Sequence, residues 1–388
     1  MIEGEEESLD QTEATGQRPY YFQLDVLKAI AIAFVVMDHS LTWEIKAQIG
    51  GIFWERLSIP FFLIVMGFNM SFSFKYRNAE TLGNLYSIDY FKRKLVRYVS
   101  PFIILWFASL FIGLALGHID TSMYLLLGYL PFWGPGNWFI PLLLGSILVF
   151  PLLYWMFEHR PVMTIGLCFL SELLFQSFLW FLYPAASTAI DWFIITAIRA
   201  NILFFLPAVG LGMWFSKGYE INSKRNRFIF PYLVFSVFFM FDYATGVVRT
   251  LPNEIGQIMS TIQLFFVGDY TLLFYGYAAF LFVVAMLTIP QTATGSLQKF
   301  IQRIGKSTYH ILLFQIFWMS IVYWTVAPSA AIEHRLPTGE ELGWSTPLLF
   351  IPYYLLNLAV SFTGGMIWYE LEKRVLHRRR SSDSEIML

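Results

Sequence analysis

The feature that most constrains this chain is a series of apolar segments that are each long enough to cross a bilayer. A spanning helix needs about 20 mostly apolar residues. Because 57% of the 388 residues are hydrophobic and only 14% are charged, the composition does not suit a water-facing surface. The sequence therefore predicts an all-α fold, a polytopic transmembrane helical bundle of about ten spans. The ten segments are 24–45, 56–74, 98–116, 137–157, 162–182, 192–215, 228–245, 270–290, 307–327 and 346–369.

The distribution of Lys and Arg predicts how this bundle is oriented. With ten spans, Lys46, Arg56, Arg249 and Arg335 are in the loops on one side, two of the 26 basic residues lie within spans, and the other 20 share a side with both termini. The positive-inside rule then places both termini in the cytoplasm. An eleventh span at 121–133 would put basic segments on opposite sides of the membrane, so we expect an interfacial or re-entrant piece on the outer face.

No loop is long enough to form a soluble domain, so we expect one transmembrane domain over residues 23–370. Residues 1–22 are acidic and polar and lack the features of a signal peptide, which predicts a disordered cytoplasmic tail, and 371–388 form a basic cytoplasmic tail. A net charge of -1 argues against a nucleic-acid partner. The single cysteine, Cys168, can form neither an intramolecular disulfide nor a thiolate metal site, and we expect no metal.

The first span carries three ionisable residues, Lys28, Asp38 and His39. Charged side chains inside a membrane are costly and mark functional sites by default, although Lys28 alone is also typical of a snorkelling anchor. Eleven residues separate Lys28 from His39, so the two share one helix face about 16 Å apart. Asp38 points about 100° away from His39, which favours a supporting role.

Other polar groups in the spans are candidates for the same site. Arg199 in the sixth span lies at a depth similar to His39, where it could stabilise an oxyanion or pair with Asp38. Asn69 could contact a ligand or another helix. In the loop 75–97, a basic cluster with interleaved aromatic residues is typical of a phosphate site or of a lipid-facing topology signal. Its members are Lys92, Arg93, Lys94 and Arg97.

Five stretches in this order resemble the membrane-bound acyltransferase 3 family, over about residues 22–370. They are Lys28 with ten intervening residues and His39, SIPFFLIVMGFNM, FKRKLVRYVSP, GNWFIPLLLGSILVFPLLY and IGKSTYHILLFQ. The resemblance implies a bundle of about ten helices. It also implies transfer of an acyl group, commonly acetyl, from cytoplasmic acyl-CoA to a hydroxyl or amine of a glycan or lipid-linked sugar.

The family's basic residue and histidine correspond to Lys28 and His39. Members often carry Arg at the first position, whereas Lys28 supplies a point charge instead of a planar guanidinium group. Members also often carry His where Gln315 stands, and Gln315 can form hydrogen bonds but cannot transfer a proton. On this interpretation, Lys28 and the basic cluster hold the CoA phosphates. His39 deprotonates the acceptor or carries the acyl group, with Asp38 in support, and Arg199, Asn69, Trp138 or Gln315 lies near the substrate.

Two rival functions remain open at this point. A proton-coupled secondary transporter or exporter of a small polar solute would use His39, Asp38 and Arg199 as a proton pathway. A membrane scaffold or receptor would carry the same charges for structural reasons. The enzyme hypothesis is favoured because a basic mouth and a deep histidine share one helix face, and a plasma membrane is the expected location.

Overall fold

A computed structural model describes residues 19–77, 81–120, 122–221, 223–248, 250–265, 271–344 and 346–386. Most of the predicted amino-terminal tail, residues 1–18, lies outside the described residues. The regular structure of the described residues is helical. Its α-helices are α1 Phe22–Ser40, α2 Trp43–Gln48, α3 Gly51–Trp54, α4 Ser58–Lys75, α5 Leu82–Leu85, α6 Ile88–Lys94, α7 Ser100–Leu116, α8 Phe139–His159, α9 Pro161–Ala185, α10 Ala189–Arg199, α11 Leu206–Phe215, α12 Asn226–Thr245, α13 Glu254–Phe265, α14 Leu272–Thr288, α15 Ser296–Val326, α16 Pro328–Ile332 and α17 Phe350–Ile386.

Each of the ten predicted spans contains a helix, and the all-helical prediction is confirmed. Among the described residues, seven helical stretches are long and apolar enough to cross a membrane, and the bent pair of α10 and α11 would make an eighth. The remaining two segments hold α14, which has 17 residues, and α1, which has 19 and carries several charges. The count of ten crossings and the cytoplasmic location of both termini stay predictions.

The sixth predicted span is not one continuous helix. Helix α10 ends at Arg199, a 3-10 turn covers Ile202–Phe205, and α11 follows at an angle of 46° to α10. The Asn201 side chain accepts a hydrogen bond from the Leu203 N–H at 2.9 Å, an arrangement that competes with helix continuation. Pro207, which has no N–H to donate, then stands in the first turn of α11.

The short apolar segment 121–133 forms no spanning helix in its described part. It contains a 3-10 turn, Met123–Leu127, followed by an irregular stretch in which residues 129–137 are almost entirely buried. The structure therefore agrees with a non-spanning piece that folds back into the bundle. We call residues 129–138 the re-entrant loop.

The centre of the bundle is built on α11, in which every residue is buried. Helices α4 and α11 approach closely because glycines face the partner backbone: a Cβ on Gly67 would lie 2.2 Å from the Val209 carbonyl oxygen, and one on Gly212 would lie 2.0 Å from that of Ile64. Helix α15 packs against both α1 and α17. On the outside, large apolar side chains such as Phe111, Phe181 and Phe228 are 66%, 76% and 68% exposed, as expected for a lipid-facing surface.

Candidate active site

His39 lies in the last turn of α1, next to the re-entrant loop, and its side chain is only 12% exposed. Its Nδ1 atom lies 2.9 Å from Nε2 of Gln315 on α15. The Tyr323 hydroxyl, also on α15, donates to the His39 backbone carbonyl at 2.7 Å. Two hydrogen bonds therefore fix the imidazole and its backbone to α15. The sequence singled out both His39 and Gln315, and the structure brings them together.

The amide of Gln315 can serve either tautomer of His39. As placed, its Nε2 can donate to an Nδ1 that carries no proton. Its Oε1 is buried and has no hydrogen-bond partner among the described residues. If the amide rotates, this oxygen can accept a hydrogen bond from Nδ1–H. In the second arrangement the lone pair of His39 Nε2 is free to accept a proton. The orientation of the Gln315 amide therefore determines which ring nitrogen is available for chemistry.

The glycine-rich part of the re-entrant loop covers the imidazole. Gly136 has φ +90°, and a Cβ at this position would lie 3.1 Å from His39 Cε1. The next residue, Asn137, is buried; its Oδ1 accepts from the Leu130 N–H at 3.4 Å, and its Nδ2 has no hydrogen-bond partner among the described residues. Trp138 in this stretch is predicted from the sequence as a site residue, whereas Gly136 and Asn137 are not. The neighbour of Gly136 is His39, which is distant in the chain.

Asp38 belongs to a charged group beside the histidine. Its carboxylate forms an ion pair with Lys46, and one oxygen lies 3.6 Å from His39 Nε2, beyond hydrogen-bond distance. Lys46 is 2% exposed and also lies 3.7 Å from a Glu55 oxygen. The sequence predicted Lys46 in a loop between two spans; in the structure it lies in α2 and is buried. The described ion-pair partner of Asp38 is therefore Lys46, where the sequence had suggested Arg199.

Lys28 lies near the other end of α1, about 16 Å from His39. It forms an ion pair of 2.6 Å with Asp25, and its side chain is 23% exposed. Asp25 also accepts a hydrogen bond from the Tyr20 hydroxyl. The backbone N–H of Phe22 donates to the Gln291 carbonyl at 2.8 Å, so α1 begins beside the segment that precedes α15. We call this side of the bundle the basic end.

The predicted basic cluster divides into separate groups at this end. Lys94 and Arg97 lie on the Tyr98 ring at 5.1 and 5.4 Å, and Tyr98 is within electrostatic range of Lys28, Lys94 and Arg97. We call these three cations the basic mouth. Arg93 instead lines a separate cavity, and Lys92 is exposed.

The remaining candidate residues are Arg199, Trp138 and Asn69. Arg199 lies over the Tyr183 ring at 5.7 Å, at the end of α10. Trp138 stacks on Phe205 with the ring centroids 5.8 Å apart. Asn69 follows Phe68, which packs on Tyr21, and precedes Met70, whose sulfur accepts a hydrogen bond from Lys94 at 3.0 Å. Asn69 is therefore at the level of the basic mouth.

A family model described as an acyltransferase domain matches residues 21–366, almost the whole chain. The chain belongs to the acyltransferase 3 family. The resemblance seen in the sequence is thereby confirmed, and the protein is a membrane acyltransferase. No curated protein and no solved structure matches it.

The acyltransferase match includes both ends of the candidate site. It begins just before α1 and extends past Gln315 into α17. The histidine contact, the re-entrant loop and the basic mouth therefore all lie inside the acyltransferase domain. Lys28 at the basic end and His39 at the opposite end lie on the same helix, α1.

Proposed function

We propose that this acyltransferase moves an acyl group from cytoplasmic acyl-CoA to a hydroxyl or amine of a glycan or lipid-linked sugar, and that the acyl group is acetyl. The observation that carries the proposal is the pairing, on one helix, of a basic mouth with a histidine held by Gln315 about 16 Å away. A phosphate-bearing donor would bind at the first and react at the second. We further propose that the protein lies in the plasma membrane with both termini in the cytoplasm, as the distribution of basic residues favours.

The basic mouth suits the phosphates of CoA. Lys28, Lys94 and Arg97 gather around Tyr98, and phosphate binding by Lys and Arg is strengthened by charge-assisted hydrogen bonds. Lys94 is half-buried, and it contacts the Met70 sulfur and two tyrosine rings. A half-buried cation with these neighbours would be stabilised by an anionic ligand. The acyl-bearing arm of CoA would then extend along α1 towards His39.

The proposed chemical step is general-base catalysis by His39. Nε2 accepts the proton of the acceptor O–H or N–H as that atom attacks the thioester carbonyl carbon. The resulting tetrahedral intermediate collapses with cleavage of the C–S bond, and the proton passes to the departing thiolate or to solvent. The Asp38 carboxylate, 3.6 Å from Nε2, would stabilise the imidazolium that forms, and Asn137 Nδ2 is a buried donor for the oxyanion.

A covalent route is the alternative within the same function. Here Nε2 attacks the thioester, CoA leaves, and the acyl-imidazole then transfers its acyl group to the acceptor. The two routes differ in what happens when no acceptor is present. Only the covalent route leaves an acyl group on His39, which intact-protein mass spectrometry after mixing with acetyl-CoA would detect.

The test uses purified protein in nanodiscs with acetyl-CoA. We would measure thermal stabilisation and the slow release of free CoA, in which water replaces the acceptor and takes the acetyl group, for wild type, Lys28→Ala and His39→Ala. We expect Lys28→Ala to weaken the stabilisation by acetyl-CoA, and His39→Ala to retain it while abolishing CoA release. Folded wild-type protein that no acyl-CoA stabilises would overturn the proposed donor and bring the transporter hypothesis forward.

A further inference from the structure

A cavity of about 290 Å³ opens at the basic end, beside the basic mouth. It lies between the residues that follow α4 and the helices α5 and α6. Phe74 and Tyr90, whose ring centroids are 5.6 Å apart, form its apolar wall. Its polar lining includes Arg77, Asn84, Ser87, Asp89 and Arg93.

Two arginines dominate the charge of this cavity. Burial and the nearby charge of Arg93 lower the pKa of Arg77, so the two guanidinium groups repel each other when the cavity holds no anion. Asp89 is the one carboxylate that lines the cavity in the described part of the chain, and like the two arginines it is exposed. The lining therefore has an excess of one positive charge, which favours an anionic ligand.

The cavity also offers hydrogen-bond donors suited to a phosphate. Arginine binds phosphate oxygens through two parallel N–H groups. The Ser87 hydroxyl oxygen accepts from the Tyr90 N–H at 3.3 Å, which leaves the hydroxyl proton available to donate. Tyr90 is held from the opposite side, because its hydroxyl donates to the Ile147 carbonyl at 2.8 Å. The Tyr90 side of the apolar wall is therefore held to α8.

Lys94 connects this cavity to the basic mouth. It follows Arg93 directly, lies 5.5 Å from the Tyr90 ring and 5.1 Å from the Tyr98 ring, and feels the charges of Arg77, Arg93 and Arg97. Tyr90 borders the cavity, whereas Tyr98 borders the mouth. Two anion-binding groups therefore adjoin each other, as a ligand with two phosphate groups on one sugar would require.

We infer that this cavity binds the 3′-phosphate of CoA while the basic mouth binds the 5′-diphosphate. The inference rests on the proposed acyl-CoA donor. The 3′-phosphate is a terminal monoester with two negative charges, which matches paired arginines better than the singly charged phosphodiester of a lipid. Both phosphate groups are attached to the same ribose, so their sites must be neighbours.

The experiment compares acetyl-CoA with 3′-dephospho-acetyl-CoA, which differs only in this phosphate. Binding of each would be measured by calorimetry to the full-length protein in nanodiscs of phosphatidylcholine alone. The proteins are wild type, Arg77→Ala, Arg77→Lys and Lys299→Ala, an exposed cation at the same end that does not line the cavity. Lys299→Ala removes the same charge from that end of the protein.

We expect wild type and Lys299→Ala to bind acetyl-CoA about tenfold more tightly than the dephospho form, because a charge-assisted contact to the phosphate is lost. Arg77→Ala should bind both forms as wild type binds the dephospho form, and Arg77→Lys should fall between. Unchanged affinity for the dephospho form also shows that Arg77→Ala is folded.

Three other outcomes would each have a distinct meaning. An undiminished preference for acetyl-CoA in Arg77→Ala would overturn the inference and leave the proposed function standing. Absence of binding of either form to wild type would overturn the proposed function itself. An effect of Arg77→Ala that appears only when phosphatidylglycerol is added would assign the cavity to a lipid headgroup and overturn the inference.

Discussion

Nδ1 of His39 and Nε2 of Gln315 lie 2.9 Å apart, although 276 positions separate them in the chain. One residue is in the last turn of α1, and the other is in the middle of α15. The contact orients the imidazole, whose Nε2 lies 3.6 Å from an oxygen of Asp38. In an acyltransferase whose proposed base is His39, the protonation state of one ring nitrogen thus depends on a side chain from a distant helix.

Replacement of Gln315 by Leu should slow the reaction without preventing donor binding. The change removes the hydrogen bond to Nδ1 and leaves a buried ring nitrogen without a partner, which costs about 1–2 kcal/mol and corresponds to roughly a tenfold lower rate of CoA release. Gln315→His, which restores a donor, should retain most of the wild-type rate. Thermal unfolding would show whether both variants are folded. Equal rates for Gln315→Leu and wild type would argue against an orienting role.

A second prediction concerns pH and the loop that follows α16. The His334 ring stacks on Trp133 with the centroids 4.7 Å apart, and partial burial lowers the pKa of this histidine while nearby Asp120 opposes the shift. A lowered folded-state pKa means that the unfolded chain binds the proton more readily. The stabilising contribution is therefore complete above the unfolded pKa of about 6.5 and is lost as the pH falls through the lowered folded value.

The replacement His334→Asn tests this contribution, since asparagine tolerates the positive φ of 53° and does not titrate in this range. Between about pH 7 and 5, the melting temperature of wild type should fall more than that of the variant. The difference should be small because more than a third of the His334 side chain is exposed. Parallel curves for the two proteins would contradict the assignment.

The helix positions and the histidine could be predicted from the sequence, because both depend on local patterns. Apolar length predicted ten helical segments, and the spacing of Lys28 and His39 predicted two sites on one helix. The non-spanning character of 121–133 could also be inferred, because an eleventh span would put basic segments on opposite sides of the membrane. These features require only the geometry of a single element and the cost of charge in a membrane.

The contacts between elements could not be predicted in the same way. Lys46 follows the first predicted span and resembles a loop residue, yet it is 2% exposed and lies between Asp38 and Glu55, which belong to two other elements. Arg93 and Arg97 resemble one cluster, yet a π-helical turn, Leu95–Val99, lies between α6 and α7 and the two face different sites. Whether a side chain is buried, and which site it adjoins, depends on the elements that pack against it, and the order of residues along the chain does not show these.

The buried Lys46 provides a third prediction. Lys46→Met removes the cation between Asp38 and Glu55 and leaves two partly buried carboxylates without it. We expect a loss of about 2 kcal/mol of stability, less than for a fully buried pair because the carboxylates are 25% and 20% exposed. Addition of Asp38→Asn should recover part of the loss, which a double-mutant cycle of unfolding would measure. Strictly additive losses would show that the two residues are not coupled.

The last prediction uses two glycines of the segment between α7 and α8 as a matched pair. Gly128 and Gly136 both have φ +90°, so Ala at either position imposes similar backbone strain, about 1–2 kcal/mol. They differ in what a Cβ would meet: at Gly128 the nearest described atom is Leu144 Cδ1 at 3.9 Å, whereas at Gly136 it is His39 Cε1 at 3.1 Å. Because the backbone strain is the same at both positions, the two variants should lose similar stability in thermal unfolding.

Only Gly136→Ala should also displace the imidazole. We expect its rate of CoA release to fall about tenfold or more relative to Gly128→Ala, since a small displacement of a catalytic group costs a large factor in rate. Binding of acetyl-CoA at the basic end should be the same in both variants, because α1 separates that site from His39 by about 16 Å. Equal rates in the two variants would mean that contact between the re-entrant loop and His39 has no part in the reaction.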